Sequence, residues 1–112
     1  MVVDMGERRA VDRLFHALSD GTRRDIVVRT LQGEHSVSAL ARLYPMSFAA
    51  VQKHVAVLHE AGLVAKRRQG REQLVSGDVE ALRRAGAVLD ALESEWVGRA
   101  ERMGALLDEE GS

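Results

Sequence analysis

The last third of the chain contains a helical pattern that is too long for a small domain to cover. Asp78 is placed to cap a helix, and apolar side chains then recur at helical spacing as far as Leu107. About 29 residues in this conformation would measure about 40 Å. Much of this helix, assigned to residues 78–108, must therefore project from the fold, and its apolar residues need a partner. These residues are Leu82, Val88 or Leu89, Leu92, Trp96, Met103 and Leu106.

The chain has room for one domain only. Its 112 residues, 46% hydrophobic and 29% charged, are typical of an ordinary soluble globular protein. We assign residues 1–112 to a single domain with a core over 7–76. No stretch is apolar enough to cross a membrane, and residues 1–9 lack the apolar centre of a secretory signal. The expected location is the cytoplasm.

The net charge of −1 conceals a segregation of charge along the sequence. Residues 42–71 carry six basic side chains and one acidic side chain, whereas residues 72–112 carry four basic and ten acidic side chains. Residues 1–41 are balanced, with six of each sign. A phosphate backbone responds to the local charge within about one Debye length. The middle section is therefore the candidate region for binding a polyanion.

Two helices are predicted before the basic section. The first covers residues 7–18, and its apolar stripe consists of Val11, Leu14, Phe15 and Leu18. Asp20 is placed to cap a second helix over 21–31, and Gly33 ends it.

A tight turn separates two further helices. Ser38 is expected to cap the third, which Pro45 stops because the residue before a proline avoids helical geometry. Ser47 is expected to cap the fourth, over 48–61, and Gly62 to close it. Two short helices joined in this way match a helix-turn-helix, whose second helix lies in a DNA major groove. The core-facing residues of this second helix are Val51, Val55 and Leu58.

The first turns of this fourth helix would face base edges. Gln52 suits adenine, Lys53 suits guanine or phosphate, and an apolar Phe48 or Ala49 suits a thymine methyl group. The helix N-terminus can hold a phosphate through backbone N–H groups. The alternative is that these side chains merely solubilise a surface helix. The residues expected to contact DNA are Ser47, Phe48, Ala49, Gln52, Lys53 and His54.

Residues 63–75 have the pattern of a β-hairpin, with strand-like runs on both sides of a polar stretch and Gly70 at the turn. Basic residues on such a projecting element can hold phosphates or enter a minor groove. The alternative is an ordinary solvated surface. The DNA-binding interpretation is favoured because the hairpin and the fourth helix share the one strongly positive section. The basic residues are Lys66, Arg67, Arg68 and Arg71.

Taken jointly, the stretches 14–24, 36–41, 47–55 and 58–64 resemble the ArsR-type (ArsR/SmtB) winged helix-turn-helix regulators. The resemblance implies a mainly α fold with a small β-hairpin: a three-helix core, a wing over 63–75 and a long C-terminal dimerisation helix. It also implies a homodimer that binds double-stranded DNA at a palindromic operator and usually represses transcription.

The same resemblance places the first and last helices at the dimer interface. Trp96, the only tryptophan, is then a residue of the dimer core, and a small-molecule pocket between the long helices is the alternative. The implied interface residues are Val11, Leu14, Leu18, Leu89, Leu92, Trp96, Met103 and Leu106. Gly21, Gln52 and the segment 73–75 depart from residues that are common in the family.

No cofactor, metal effector or enzymatic activity is expected. The chain contains no cysteine, and its four histidines, of which His54 and His59 share the fourth helix, have no ligand spacing. Asp90, Glu93 and Glu95 are solvated carboxylates on one long helix and not a desolvated catalytic pair. The alternative to a DNA-binding regulator is a winged helix that binds proteins and not DNA.

Overall fold

The structure, a computed structural model, describes residues 5–110, so the expected domain limits at 1 and 112 lie outside the described range. It begins with helix α1, Met5–Leu18, and helix α2, Gly21–Gln32. The prediction that Asp20 caps α2 is confirmed, because its carboxylate accepts a hydrogen bond from the backbone N–H of Arg23 at 3.0 Å. This bond lowers the pKa of the Asp20 carboxyl below its usual value.

A short strand that the sequence did not predict, β1, His35–Ser36, leads directly into helix α3, Val37–Ala41. The prediction that Ser38 caps α3 is wrong. Ser36 has the extended backbone of a cap, with φ −72° and ψ 153°, and its hydroxyl accepts a hydrogen bond from the N–H of Ala39 at 3.0 Å. Pro45 does not end α3 either, because the helix stops at Ala41 and a turn follows.

Helix α4, Phe48–Glu60, begins as predicted and ends one residue before the predicted end, with Ala61 as its C-cap. The hydroxyl of Ser47 caps it by accepting a hydrogen bond from the N–H of Ala50 at 3.1 Å. Gly62 follows with φ +77°, a left-handed conformation in which a side chain would be strained. The chain therefore reverses at this glycine and enters the sheet.

The predicted hairpin is confirmed as strands β2, Val64–Gln69, and β3, Glu72–Gly77. Gly70 is the first of the two turn residues and has φ +61°, which fits a type II′ turn. The sheet order is β1-β3-β2, and both pairings are antiparallel. Strand β1 thus covers the edge of β3 that the hairpin leaves open.

The core lies between α1–α4 and one face of this sheet. Ile26, Leu40 and Leu58 are fully buried there, one from each of α2, α3 and α4. Helix α2 lies so close to β3 that a Cβ atom at Gly77 would come within 2.8 Å of the Leu31 side chain. The residues that this packing fixes in place are the turn before α4, α4 itself and the base of the hairpin.

Helix α5, Val79–Glu110, is the long helix that the sequence predicted, and the carboxylate of Asp78 caps it by accepting hydrogen bonds from the N–H groups of Glu80 and Ala81 at 3.0 and 3.3 Å. Of its residues with described side chains, Ala81 and Ala85 alone are buried. The rest projects, which gives the molecule a longest dimension of 71 Å. Among residues 5–110, no helix has the length and apolar character needed to cross a bilayer.

Candidate nucleic-acid interface

Helix α4 has a core-facing side and an exposed side. The residues predicted to face the core from α4, Val51, Val55 and Leu58, are at most 2% exposed. On the opposite side Gln52 and Lys53 are exposed, and Phe48 and Ala49 are exposed in the first turn. Ser47 uses its oxygen to cap the helix, which leaves its hydroxyl hydrogen free to donate to an anion. An amide, an ammonium group and apolar groups thus lie together at the helix N-terminus, as major-groove contact requires.

His54 differs from the other predicted contact residues of α4 because it is half-buried. Its Nδ1 lies 3.2 Å from a guanidinium nitrogen of Arg23 in α2. The same guanidinium group donates to two carbonyl oxygens at the end of α1, those of Ala17 at 2.8 Å and His16 at 3.0 Å. His54 is therefore held against α1 and α2, and its imidazole does not extend freely outward with Gln52.

A contact that the sequence did not reveal fixes the turn in front of α4. The hydroxyl of Tyr44 donates to the carboxylate of Asp25 in α2 at 2.5 Å, and the guanidinium of Arg29 donates to the same oxygen at 2.7 Å. These two hydrogen bonds, that of Tyr44 foremost, lower the pKa of Asp25. Burial and the bond to Asp25 raise the pKa of Tyr44 to about 12. The neutral phenol thus anchors the turn three residues before the cap of α4.

This anchor predicts a late titration of Tyr44, which is the only tyrosine of the chain and so accounts for all phenolate absorbance near 295 nm. We expect a midpoint close to pH 12 in the folded protein, against about 10 for an unperturbed tyrosine. Because the folded pKa is the higher one, the stability that the phenol contributes is present below about pH 10 and is lost as the pH rises through the folded value. Asp25→Asn should lower the midpoint, and an unchanged midpoint in that variant would remove Asp25 as the cause.

One of the four basic residues of the hairpin is already paired. The guanidinium of Arg67 donates to both carboxylate oxygens of Glu34, at 2.8 and 2.7 Å, and these bonds lower the pKa of Glu34. In the hairpin Arg67 lies opposite Leu74 of β3, whereas Glu34 immediately precedes β1 at the base of the sheet. Arg67 is thereby directed toward the base of the wing. The sequence did not indicate this partner, which lies 33 residues away.

The other basic residues of the hairpin differ in exposure. Lys66 is half-buried on the strand face that also carries the buried Val64, as the alternation of a strand dictates. Arg68 lies on the same face nearer the tip and is exposed, and Arg71 is exposed in the turn itself. Arg68 and Arg71 are thus the charges of the wing that extend farthest from the core.

The residues expected at the dimer interface fall into two groups. Leu14 is only 7% exposed and packs in the protomer's own core, and Val11 and Leu18 are half-buried. The residues predicted on α5 are all exposed, by 43% to 65% of their surface: Leu89, Leu92, Trp96, Met103 and Leu106. Between α1 and α5 an apolar groove of about 410 Å³ is lined by Val11, Leu14, Ala87 and Val88. The apolar surface is therefore continuous from this groove along α5.

No three histidine or carboxylate side chains come close enough to hold a metal ion within the part of the chain that the structure describes. The histidines lie apart on α1, on β1 and on α4. The ring Nδ1 of His35 lies 2.7 Å from the carbonyl oxygen of Gly33, and that of His54 contacts Arg23.

No protein-family model matches the chain. The chain is 37% identical to the HTH-type transcriptional regulator Rv2034 of Mycobacterium tuberculosis over 107 residues. The aligned segment covers 96% of this chain and 97% of that protein. The structure of this chain is similar to that of an ArsR-like transcriptional regulator from Rhodococcus sp. RHA1, with a TM-score of 0.83, 28% identity and coverage of 96% and 98% of the two chains.

It is also similar to the solution structure of Mb0332 from Mycobacterium bovis, a possible ArsR-family transcriptional regulator described as a homodimeric winged helix-turn-helix DNA-binding domain. The TM-score is 0.63 at 27% identity, with coverage of 79% of this chain and 82% of the other. The matches to Rv2034 and to the rhodococcal protein each cover 96% of this chain, so they include the helix-turn-helix, the hairpin and much of the long helix.

Proposed function

Because this chain belongs to the ArsR family of winged helix-turn-helix transcriptional regulators, we propose that it acts as a homodimer on a specific palindromic operator in double-stranded DNA. The family consists of regulators and not of enzymes. The proposed action is repression, since a dimer seated on an operator excludes other proteins from the same stretch of duplex. Two copies would present two recognition helices to half-sites one helical turn apart.

The proposal rests on one observation. The outward side chains in the N-terminal half of α4 are exposed, no acidic side chain lies among them, and a basic hairpin lies beside them. Helix α4 packs against β2, so Gln52 and Lys53 belong to the same rigid unit as Arg68. Base-edge contacts would come from α4, whereas Arg68 and Arg71 would hold phosphates. In this assignment Arg67 and His54 contribute mainly through their contacts within the protein.

Replacing Gln52 tests the assignment of α4. An operator selected from a random duplex pool should bind the Gln52→Ala dimer at least about 30-fold more weakly, because each of the two half-sites loses a bidentate contact to a base worth about 1–3 kcal/mol. Discrimination should be relaxed at one base pair of each half-site, and fluorescence anisotropy on single-base operator variants measures this. Gln32→Ala, which removes an exposed glutamine at the end of α2, serves as the matched control and should bind like the parent.

The same assay distinguishes the alternative function. If the purified dimer bound no duplex at low salt, where phosphate contacts are strongest, the DNA-binding proposal would fail. The protein-interaction role would then be favoured. If the dimer bound all duplex sequences with equal affinity, the DNA-binding proposal would stand and the proposal of a specific operator would be abandoned.

We also propose that no metal ion gates this binding. The absence of cysteine from the chain, and of any three clustered histidine or carboxylate side chains from its described part, supports the proposal. Calorimetric titration of the dimer with zinc, nickel and arsenite should show no tight stoichiometric binding. A stoichiometric, high-affinity isotherm with any of the three would overturn it.

A further inference from the structure

An ion pair between Arg67 of β2 and Glu34, the residue before β1, joins the wing to the base of the sheet. It is one of four ion pairs in the part of the chain that the structure describes. The other three join residues three or four positions apart on a single helix, where side chains are neighbours in any helix. Arg67 and Glu34 lie 33 positions apart, so only the tertiary fold brings them together.

The register of the sheet determines the path of the Arg67 side chain. Arg67 lies opposite Leu74 of β3, and β3 is the middle strand, between β2 and β1. The next residue of β3, Val75, is fully buried, so Leu74 and Arg67 point to the outer face of the sheet. To reach Glu34 beside β1, the Arg67 side chain must therefore cross the middle strand on this outer face. That direction leads away from the turn at Gly70.

The contact occupies one complete edge of the guanidinium group. Nε and one terminal nitrogen donate to the two carboxylate oxygens of Glu34 at 2.8 and 2.7 Å, and the same terminal nitrogen donates to the amide oxygen of Gln69 at 3.2 Å. A DNA phosphate also offers two oxygens, and arginine binds it through the same paired N–H groups. Glu34 thus occupies the donors with which Arg67 would bind a phosphate.

The pair is open to exchange with another anion. The side chain of Arg67 remains 58% exposed and that of Glu34 31% exposed. An ion pair with this exposure contributes little to folding stability, because water and salt screen it. A phosphate held nearby by Arg68 would compete with the Glu34 carboxylate for the same guanidinium group. The pair can therefore influence how the wing binds anions without being needed to hold the fold together.

We propose that Glu34 is an internal competitor of DNA phosphate, which holds Arg67 away from the duplex and so limits the affinity of the wing. The inference rests on the proposed DNA-binding function and adds a residue that restrains it. Arg68 and Arg71 can bind phosphates directly, whereas Arg67 must first give up its carboxylate partner. Because phosphate contacts carry no sequence information, the restraint lowers binding to operator and non-operator DNA alike.

Glu34→Gln tests this restraint, because glutamine keeps the shape of the side chain and removes its charge. Arg67 released in both subunits would add up to two phosphate contacts per dimer, each worth about 0.9 in the slope of log affinity against log salt. We expect the slope to steepen by up to about 1.8 and the affinity at about 0.1 M salt to rise by up to about 60-fold. Fluorescence anisotropy with the selected operator and with an unrelated duplex should show this rise for both.

The control separates release of Arg67 from a general effect of charge, since loss of any acidic side chain near DNA raises the affinity somewhat. The same substitution is made in an Arg67→Gln background, where we expect no rise beyond the general effect. Glu72→Gln measures that general effect, because Glu72 is an exposed acidic residue of β3 nearer the tip of the wing. Its rise in affinity should be the same with and without Arg67.

Every other outcome overturns the proposal. If the parent bound its operator and Glu34→Gln bound it equally well, the proposed function would stand and the restraint would be abandoned. Weaker binding by Glu34→Gln would mean that the pair positions the wing for DNA. An equal rise in the Arg67→Gln background would mean that only the charge of Glu34 matters. If neither the parent nor Glu34→Gln bound any duplex, the proposed function itself would fail, and the restraint with it.

Discussion

Replacing Arg68 and Arg71 together with alanine should weaken operator binding by up to about a thousandfold at 0.1 M salt. Both side chains are exposed, and neither is among the ion pairs that the structure shows within residues 5–107. A dimer loses four charges in this variant, and each charge that contacts a phosphate contributes about 0.9 to the slope of log affinity against log salt. The slope should therefore decrease by up to about 3.6, as binding measured between 50 and 200 mM salt will show.

The control for this effect is Arg83→Ala, because Arg83 is an exposed arginine of α5 that pairs with Glu80 and lies outside the proposed interface. It should leave the salt slope unchanged. An equal loss of affinity in the control would mean that the total charge of the protein matters and that the wing does not contact phosphate. A reduced affinity with an unchanged salt slope would mean that the wing contributes to binding without neutralising phosphates.

Replacing Leu58 with alanine should reduce the free energy of unfolding by about 2–5 kcal/mol. Leu58 is fully buried on the core side of α4, so its removal leaves a cavity beneath the recognition helix. Such a loss is large against the 5–15 kcal/mol that is usual for the stability of a whole domain. Urea denaturation followed by circular dichroism measures it, with an unchanged dependence on urea concentration as the sign of an intact two-state transition.

Leu43→Ala removes the same atoms from a side chain that is 46% exposed in the turn before α4. It should cost less than about 1 kcal/mol, since no closed cavity forms. Similar losses for Leu43 and Leu58 would mean that α4 is not held by the core described above.

Features that depend on a few neighbouring residues could be predicted from the sequence. The caps at Asp20 and Ser47 require a side-chain oxygen three residues before an N–H group, and the turns at Gly62 and Gly70 require a residue that tolerates a positive φ. The long helix was equally visible, because its apolar stripe continues for many turns. These local rules were enough to place the exposed face of α4 and the hairpin.

Features that depend on distant partners could not be predicted in this way. Strand β1 is only two residues long, and it forms because His35 pairs with Val75 of β3. The strand places Ser36 at the start of α3, so the cap lies two residues before Ser38. No pattern in the sequence indicated this pairing.

The candidate site shows the same division between local and distant contacts. The exposure of Gln52 and Lys53 follows from the helical period, but the pairing of Arg67 with Glu34 joins residues 33 positions apart. The anchor between Tyr44 and Asp25 joins residues 19 positions apart. Both contacts change which side chains are free to meet DNA, and only the folded chain reveals them.

Arg23 connects α1, the helix expected at the dimer interface, with α4, the helix proposed to bind DNA. The guanidinium group of Arg23, a residue of α2, donates to the carbonyl oxygens of His16 and Ala17 in the last turn of α1 and contacts the imidazole of His54 in α4. Since the family resemblance places α1 at the dimer interface, a tilt of α1 imposed from that side would strain these bonds unless α4 moved with it. Together with the direct packing of α1 and α2 against α4, Arg23 therefore links the helix expected at the dimer interface to the helix proposed to bind DNA.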